Sequence, residues 1–251
     1  MPGFDPVFAA AQLAEARLRR RQIELAGPAP QSAEDAYAVQ DALLRRLGPA
    51  KAWKVGAKGP AETPNAAPIL DVRQSPATWA ASDLHMIGIE AEIAFRMAHT
   101  LPAGAKPPSA DEVYGAVASV HAAIEVVDTR IADWREADRL WLLADNQSNG
   151  GLVCGSGVAD WRNLDFTRQP VRLAVGGRTL IETVGGNPAG DPRRLLVWLV
   201  NHLVRRRHGI EAGAFVTTGS CTGMIFVDPG AEVEAAFAGL GSATVAFRHD
   251  V

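Results

Sequence analysis

The chain has 251 residues, 47% of them hydrophobic and 21% charged, with a formal net charge of −3. That is enough apolar material for one large domain or a core with an N-terminal appendage, and the absence of a basic stripe argues against nucleic acid as a partner and for a small molecule. No stretch approaches the ~18 uninterrupted apolar residues of a membrane span, and MPGFDPVFAAAQLAEARLRRRQ mixes charges into its apolar residues instead of forming a secretory h-region, so a cytoplasmic protein with no membrane partner is expected.

In chain order, the loose helical spacing of Leu13, Leu18 and Ile23 predicts a helix from about Phe8 to Leu25, with Arg17, Arg19, Arg20 and Arg21 on a solvated face. Pro28 and Pro30 break the chain. Ser32 with Asp35 forms a capping-box start, and Ala36, Val39, Leu43, Leu44 and Leu47 line one side of a second helix that stops at Gly48-Pro49. Residues 1–50 therefore read as a helical N-terminal portion packed on the core, and residues 51–251 as a second, strand-rich domain.

From Lys51 the texture changes to short alternating or apolar runs set off by Gly, Pro and Asp. AWKVGAKG, MIGIEAEIAFRM, AAIEVVD, GGLVCGSGV, VRLAVGGRTL, AFVTTGS and EVEAAFAGLGSATVAF are the expected strands. Two helices interrupt them: one over roughly Ala110 to Val120, and one that opens with the Asp191 cap and Pro192 and runs to a stop at Gly209. Few βα alternations occur and no GxGxxG follows a strand, so an α+β roll or sandwich is favoured over a Rossmann sheet.

Within GIEAEIAFRM the odd positions Ile89, Ala91, Ile93, Phe95 and Met97 are apolar, while Glu90 and Glu92 share the other face, roughly 7 Å apart along a strand. A third glutamate, Glu125, sits in the apolar run AAIEVV, where isolating a carboxylate from water costs several kcal/mol unless it is paired or bound to a metal. Two readings are open on the pattern alone. Arg96 and Arg130 can supply ion pairs, or three oxygen donors without a nearby thiolate can hold a hard ion, Mg²⁺ or Mn²⁺. His121 precedes Glu125 by four and reads as a structural histidine.

Three further segments carry polar chemistry. Lys51, Lys54 and Lys58, three of only four lysines, lie in one stretch, and Lys54 is followed closely by a glycine that permits backbone approach. Ala144–Gly151, ADNQSNGG, has the composition of a turn. Thr217–Gly223, TTGSCTG, offers the hydroxyls of Ser220 and Thr222 to an anionic group. Cys154 and Cys221 lack metal or redox spacing and read as buried free thiols.

Taken in order, AEDAYAVQDALLRRLG, AWKVGAKG, GIEAEIAFRM, AAIEVVDTRIADW, ADNQSNGG, TTGSCTGMIFVDPG and GLGSATVAF make the chain resemble the 2-keto-4-pentenoate hydratase and 4-oxalocrotonate decarboxylase family, within the fumarylacetoacetate hydrolase superfamily. The resemblance implies an α+β fold, a mixed β-sandwich roll like that superfamily's C-terminal domain, in a homo-oligomer, with residues 51–251 as the catalytic domain. It implies Mg²⁺ or Mn²⁺ held by Glu90, Glu92 and Glu125, with Lys54 as the catalytic residue and Lys54, Asp145, Asn146, Ser220 and Thr222 as substrate contacts. The activity implied is hydration of a 2-hydroxy-2,4-dienoate to a 4-hydroxy-2-oxo acid in the meta-cleavage catabolism of aromatic compounds. A bound ion near Lys54 is expected to lower its pKa and make it an acid/base group. Decarboxylation of a 2-oxo-enedioate is the alternative, with Arg73, Arg96 and Arg130 as candidate cations for its second carboxylate; a C–C hydrolase or a non-catalytic oligomeric binding protein ranks lower. The chain departs from the family at ETPNAAPILD, where an acidic PDFG-like segment is usual.

Overall fold

Side-chain caps set the helix boundaries at the N-terminus. In the computed structural model, which describes residues 3–104 and 106–249, Asp5 accepts hydrogen bonds from the backbone N–H groups of Val7 and Phe8 and opens α1 (Pro6–Leu18). This helix ends well before the expected Leu25, because Arg20 turns left-handed at φ 50° and Ile23 leaves as extended chain to bridge Ile131. Helix α2 (Ala33–Leu47) starts at Ser32, whose hydroxyl accepts from the Asp35 N–H, while the Asp35 carboxylate accepts from the N–H of Gln31, one residue before the expected partner. Gly48 ends it at φ 102°.

The strands then form two sheets. The first contains β1 (Ala52–Gly56), β2 (Asn65–Ile69), β3 (Val72–Gln74), β5 (Gly88–Met97), β6 (Val117–Val127), β7 (Asn149–Val158), β10 (Phe215–Ser220) and β11 (Ile225–Phe226), in the order β2-β1-β10-β5-β6-β7-β3 with β11 on β5. The second runs β4-β13-β12-β8-β9, from β4 (Ala77–Ala80), β8 (Pro170–Val175), β9 (Arg178–Val184), β12 (Glu232–Phe237) and β13 (Gly241–Arg248). Strand β10 runs parallel to β1 and antiparallel to β5, so it draws residue 54 toward residues 90–92 although they are far apart in sequence. The sheet is mixed for this reason.

Alternation decides which face packs where. Ile89, Ala91, Ile93, Phe95 and Met97 of β5 enter one buried cluster with Val233, Ala235, Phe237, Val245 and Phe247 of the second sheet. Burying such side chains contributes about 1.5–3 kcal/mol each, and it fixes register, since a slip of one residue would turn the glutamates inward. The two N-terminal helices bury Ala10, Leu13, Val39 and Leu43 in a second cluster with Ile131, Trp141 and Leu143. The architecture is thus an α+β roll of two packed sheets, as expected.

Later boundaries differ from the sequence reading as well. The helix expected over Ala110 to Val120 is only α3 (Ala110–Gly115), closed by a Ser109/Glu112 capping box. From Val117 the chain is strand, because Val117 and Val120 pair with Met97 and Phe95 across the β5–β6 ladder. An unexpected helix, α4 (Arg139–Ala144), leads into the polar loop; six residues are too few to show helical periodicity. Helix α5 (Pro192–Arg205) begins at the Asp191 cap as expected and buries Leu195, Leu196, Leu199 and Leu203.

Candidate metal centre and its cavity

Strand pairing brings the three glutamates together. Glu90 stands opposite Glu125 in the β5–β6 ladder and Glu92 opposite Ala123, so all three project on the face turned away from the second sheet. One carboxylate oxygen from each lies within 4.8 Å of the others. Glu92 and Glu125 are buried, whereas Glu90 lines the cavity and is partly open.

Each carboxylate is held differently. A bulge in β10 between Thr217 and Ser220, with Gly219 at φ 84°, turns the Thr217 hydroxyl and the Gly219 N–H onto Oε2 of Glu92, the latter at 3.0 Å. Glu125 Oε1 accepts from the Lys54 ammonium and from Asn149 Nδ2 at 2.9 Å. Its other oxygen, Oε2, has no partner among the described residues. A buried, orphaned carboxylate oxygen costs roughly 1–3 kcal/mol or more, and here it sits in an all-oxygen cluster of three acids faced by one cation. That donor set suits a hard divalent ion of the Mg²⁺ type.

The charges show the same deficit. Burial and then the neighbouring Glu125 push Glu90 up to about 7, against the opposing pull of Lys54. Burial, Glu125 and Glu90 hold Glu92 well above the ordinary carboxylate range. For Lys54 burial acts to lower the pKa, but Glu125, Glu90 and Glu92 together outweigh it and the ammonium holds its proton more tightly than usual. The lowering expected from a positive neighbour is therefore reversed wherever only the carboxylates surround it.

Lys54 is fixed from a second side by the carbonyl of Gln147, at 3.3 Å. That carbonyl sits in a turn where Asn146, Gln147 and Ser148 take φ of 51°, 53° and 55° in succession. Non-glycine residues in this region cost about 1–2 kcal/mol each, a strain that persists only where the surroundings enforce it. The loop leads straight into β7, whose first residue supplies Asn149.

Two adjoining cavity lobes flank this cluster. One, of about 370 Å³, is lined by Glu92, Asn187, Gly219 and Ser220; the other, of about 400 Å³, is lined by Asn65, Met86, Trp134, Arg139, Leu142 and Met224, and Lys54, Lys58, Glu90 and Gln147 border both. Both volumes fall in the range of roughly 300–1,000 Å³ typical of small-molecule sites.

The structure thus brings together Glu90, Glu92, Glu125 and Lys54, with Ser220 at the lobe wall. The other expected contacts stand elsewhere. Asp145 is buried with its carboxylate on Arg130, at 2.7 Å from Nε, and on the Thr129 hydroxyl at 2.9 Å, because a buried guanidinium needs a counter-charge. Asn146 is buried beside it with Oδ1 unpartnered, and the Thr222 hydroxyl accepts from the Ala91 N–H and donates to the Gly223 carbonyl. Arg96 is exposed and Arg73 lies over Trp79 against Asp71, so none of the three expected arginines lines the cavity. The cation on Glu125 is Lys54, not Arg130. His121 bonds Ser119 and the Gly155 carbonyl, and both cysteines are free and buried, their thiols pushed up to about 12 by burial. Asn65, Trp134 and Arg139 were not anticipated; Asn65 falls in the ETPNAAPILD stretch that departs from the usual acidic segment.

Two packed sheets, with an acidic, all-oxygen cluster and one lysine on the face of the larger sheet turned away from the smaller, define an α+β roll whose donor set suits a divalent cation. The chain belongs to the fumarylacetoacetate (FAA) hydrolase C-terminal family, whose model matches residues 60–248. It is 33% identical to the 2-keto-4-pentenoate hydratase of Paraburkholderia xenovorans over 66% of this chain and 61% of that protein, and 36% identical to that of Paraburkholderia phymatum over 63% and 60%. The match thus spans about three fifths of these relatives. Among solved structures, the 4-oxalocrotonate decarboxylase of Pseudomonas putida, complexed with magnesium and adipate, superposes with a TM-score of 0.82 over 96% of this chain and 97% of that one, at 24% identity. The same enzyme complexed with calcium and acetate gives 0.81. Among the described residues no helix is long and apolar enough to cross a membrane.

Proposed function

We propose that this chain is a metal-dependent hydro-lyase that adds water to a 2-hydroxy-2,4-dienoate and yields a 4-hydroxy-2-oxo acid. The carrying observation is the orphaned Oε2 of Glu125 within a three-carboxylate cluster beside Lys54. Glu90, Glu92 and Glu125 would hold Mg²⁺ or Mn²⁺; magnesium in the structural relative supports the first. When bound, the ion supplies Lewis-acid charge to the 2-oxo acid end of the substrate. The relatives at 33–36% identity, both named hydratases, support water addition.

The chain's own residues divide the remaining work. Thr217 and Gly219 orient Glu92, and Asn149 and Lys54 orient Glu125, so the open oxygens converge on the cavity. Lys54 Nζ delivers a proton to the terminal carbon of the dienol as the 2-hydroxyl gives up its own. Water then adds at carbon 4 of the conjugated 2-oxo acid, and a proton reaches carbon 3. The Gln147 carbonyl keeps the ammonium turned toward the cavity, and Ser220 borders the substrate near Glu92. Asp145 acts at one remove by anchoring the loop that carries Gln147.

Decarboxylation of a 2-oxo-enedioate is the second reading, favoured by relatives named 4-oxalocrotonate decarboxylase at 29% identity. Absorbance assays separate the two. Turnover of 2-hydroxypenta-2,4-dienoate with Mg²⁺ is expected; CO₂ release from 2-oxohex-3-enedioate without turnover of the dienoate would reverse the assignment.

A further inference from the structure

One arginine of the RLRRR run leaves the solvated face expected for it. Arg17 follows Leu13 and Ala14 on α1 by four and three positions and so shares their buried side, while Arg19 and Arg21 turn back to Glu15 on the outside. Its Nη2 donates to the carbonyl of Asn149 at 2.6 Å, and Nη1 of Arg130 donates to the same oxygen at 3.0 Å. Two guanidinium groups thus meet on one carbonyl, at the residue whose side chain holds Glu125.

Arg17 borders a cavity of about 240 Å³ that shares no lining residue with the lobes flanking the glutamates. The acids in its wall are already held: Asp71 by Arg73 at 2.8 Å, Asp83 by Arg20, and Asp128 by the backbone N–H groups of His85 and Met86 at 3.0 and 3.2 Å. Arg130, also in the wall, pairs with Asp145 at 2.7 Å. Arg17 alone of these arginines has no ion-pair partner among the described residues, and its Nε and Nη1 make no hydrogen bond there. Burial and then Arg130 lower its pKa to about 9, against the pull of Asp145, Asp128 and Asp71. A guanidinium so placed lacks a counter-charge.

The space fixes what can supply it. The cavity is smaller than the roughly 300–1,000 Å³ of ordinary ligand pockets, so the partner has few atoms. It must accept from a planar fork of N–H groups, which suits a carboxylate or a phosphate. It must also carry one charge, because Asp71, Asp83 and Asp128 border the same space and repel a dianion more strongly. We propose that Arg17 and this cavity form a binding site for a small, singly charged carboxylate, a molecule of its own and no part of the dienoate. The site stands independently of the reaction proposed above.

The test titrates acetate calorimetrically into the chelator-treated, dialysed full chain at pH 8, with sodium chloride holding the ionic strength and inorganic phosphate, there mostly a dianion, as the second probe. Acetate is expected to saturate one site per chain and phosphate to bind at least threefold more weakly. Arg17→Met should weaken acetate roughly tenfold or more, the loss expected for a charge-assisted pair, and Lys58→Met should leave it unchanged. Arg17→Lys keeps the charge without the fork and should bind severalfold more weakly than the wild type; it decides the matter if Arg17→Met does not fold. No saturable acetate binding above the chloride background, affinity that survives in both Arg17 variants, or affinity lost in Lys58→Met instead would each overturn the inference. Phosphate binding more tightly than acetate would overturn the assignment of the ligand as a singly charged carboxylate. None of these outcomes touches the metal-site reading, which the Mg²⁺ response of the same chain tests separately.

Discussion

Glu90 and Glu125 face each other as direct partners in the β5–β6 ladder, a position where two like charges destabilise a sheet. A divalent ion between them would turn that repulsion into attraction, so the unfavourable pair in the bare fold is the favourable pair of the loaded one. Saturating Mg²⁺ is therefore expected to raise the melting temperature of the chelator-treated chain, by about 2.7 kcal/mol in stability at a hundredfold excess over Kd. In a Glu90→Gln, Glu92→Gln double variant the bare chain should melt higher than the wild type and show no Mg²⁺ response. Differential scanning calorimetry with and without Mg²⁺ reads both effects.

The same repulsion sets a pH dependence. Glu90 is pushed up to about 7, and Glu92 is raised as well, first by burial and then by Glu125. A carboxyl that holds its proton more tightly when folded stabilises the bare chain below its unfolded pKa, and that contribution is lost as pH rises through the folded value. Bare-chain stability should thus fall between about pH 4.5 and 7 from this source, while Mg²⁺ affinity climbs over the same window because the ion must displace those protons. Calorimetric titration near pH 6 in buffers of different ionisation enthalpy should detect proton release; its absence would mean the glutamates are already ionised.

Much of this was legible in the sequence, for a physical reason. Period-2 alternation placed Glu90 and Glu92 on one face without any knowledge of the fold, and an isolated glutamate in AAIEVV marked Glu125 as a carboxylate in need of compensation. What compensates it was not legible, because the parallel pairing of β1 with β10, which delivers Lys54, is a long-range event that leaves no local periodicity. The polar loop misled for the opposite reason. Its composition read as a turn and the family resemblance suggested ligand contacts for Asp145 and Asn146, whereas both side chains are buried and the left-handed run Asn146–Ser148 presents a backbone carbonyl, that of Gln147, to the lysine. Arg139 was hidden within a helix too short to betray itself.

Lys54 is expected to separate chemistry from metal binding. Lys54→Met removes the proton donor and the cation on Glu125 but leaves all three carboxylates, so Mg²⁺ should still raise the melting temperature at pH 8 while kcat falls by roughly 10²–10⁴-fold, the range for general acid–base groups. Lys54→Arg should not restore the rate, since a guanidinium cannot give up its proton at neutral pH. Parallel measurement of the Mg²⁺-dependent thermal shift and of dienoate turnover distinguishes this from simple unfolding, in which both would be lost.

Asp145 should behave in the opposite manner, as a residue whose loss is felt in stability before it is felt in binding. Its carboxylate accepts from Nε and the backbone N–H of Arg130 and from the Thr129 hydroxyl, while Arg130 also donates to the carbonyls of Asp145 and Asn149. Removing one partner of a buried pair leaves the other charge uncompensated and costs about 3–5 kcal/mol. Asp145→Ala is accordingly expected to lower the urea midpoint sharply, with the m-value unchanged. In the fraction that folds at low temperature, KM for a dienoate should stay close to that of the wild type while kcat drops, because the Gln147 carbonyl that orients Lys54 sits in the loop this pair anchors. A large rise in KM at unaltered stability would instead make Asp145 a direct substrate contact.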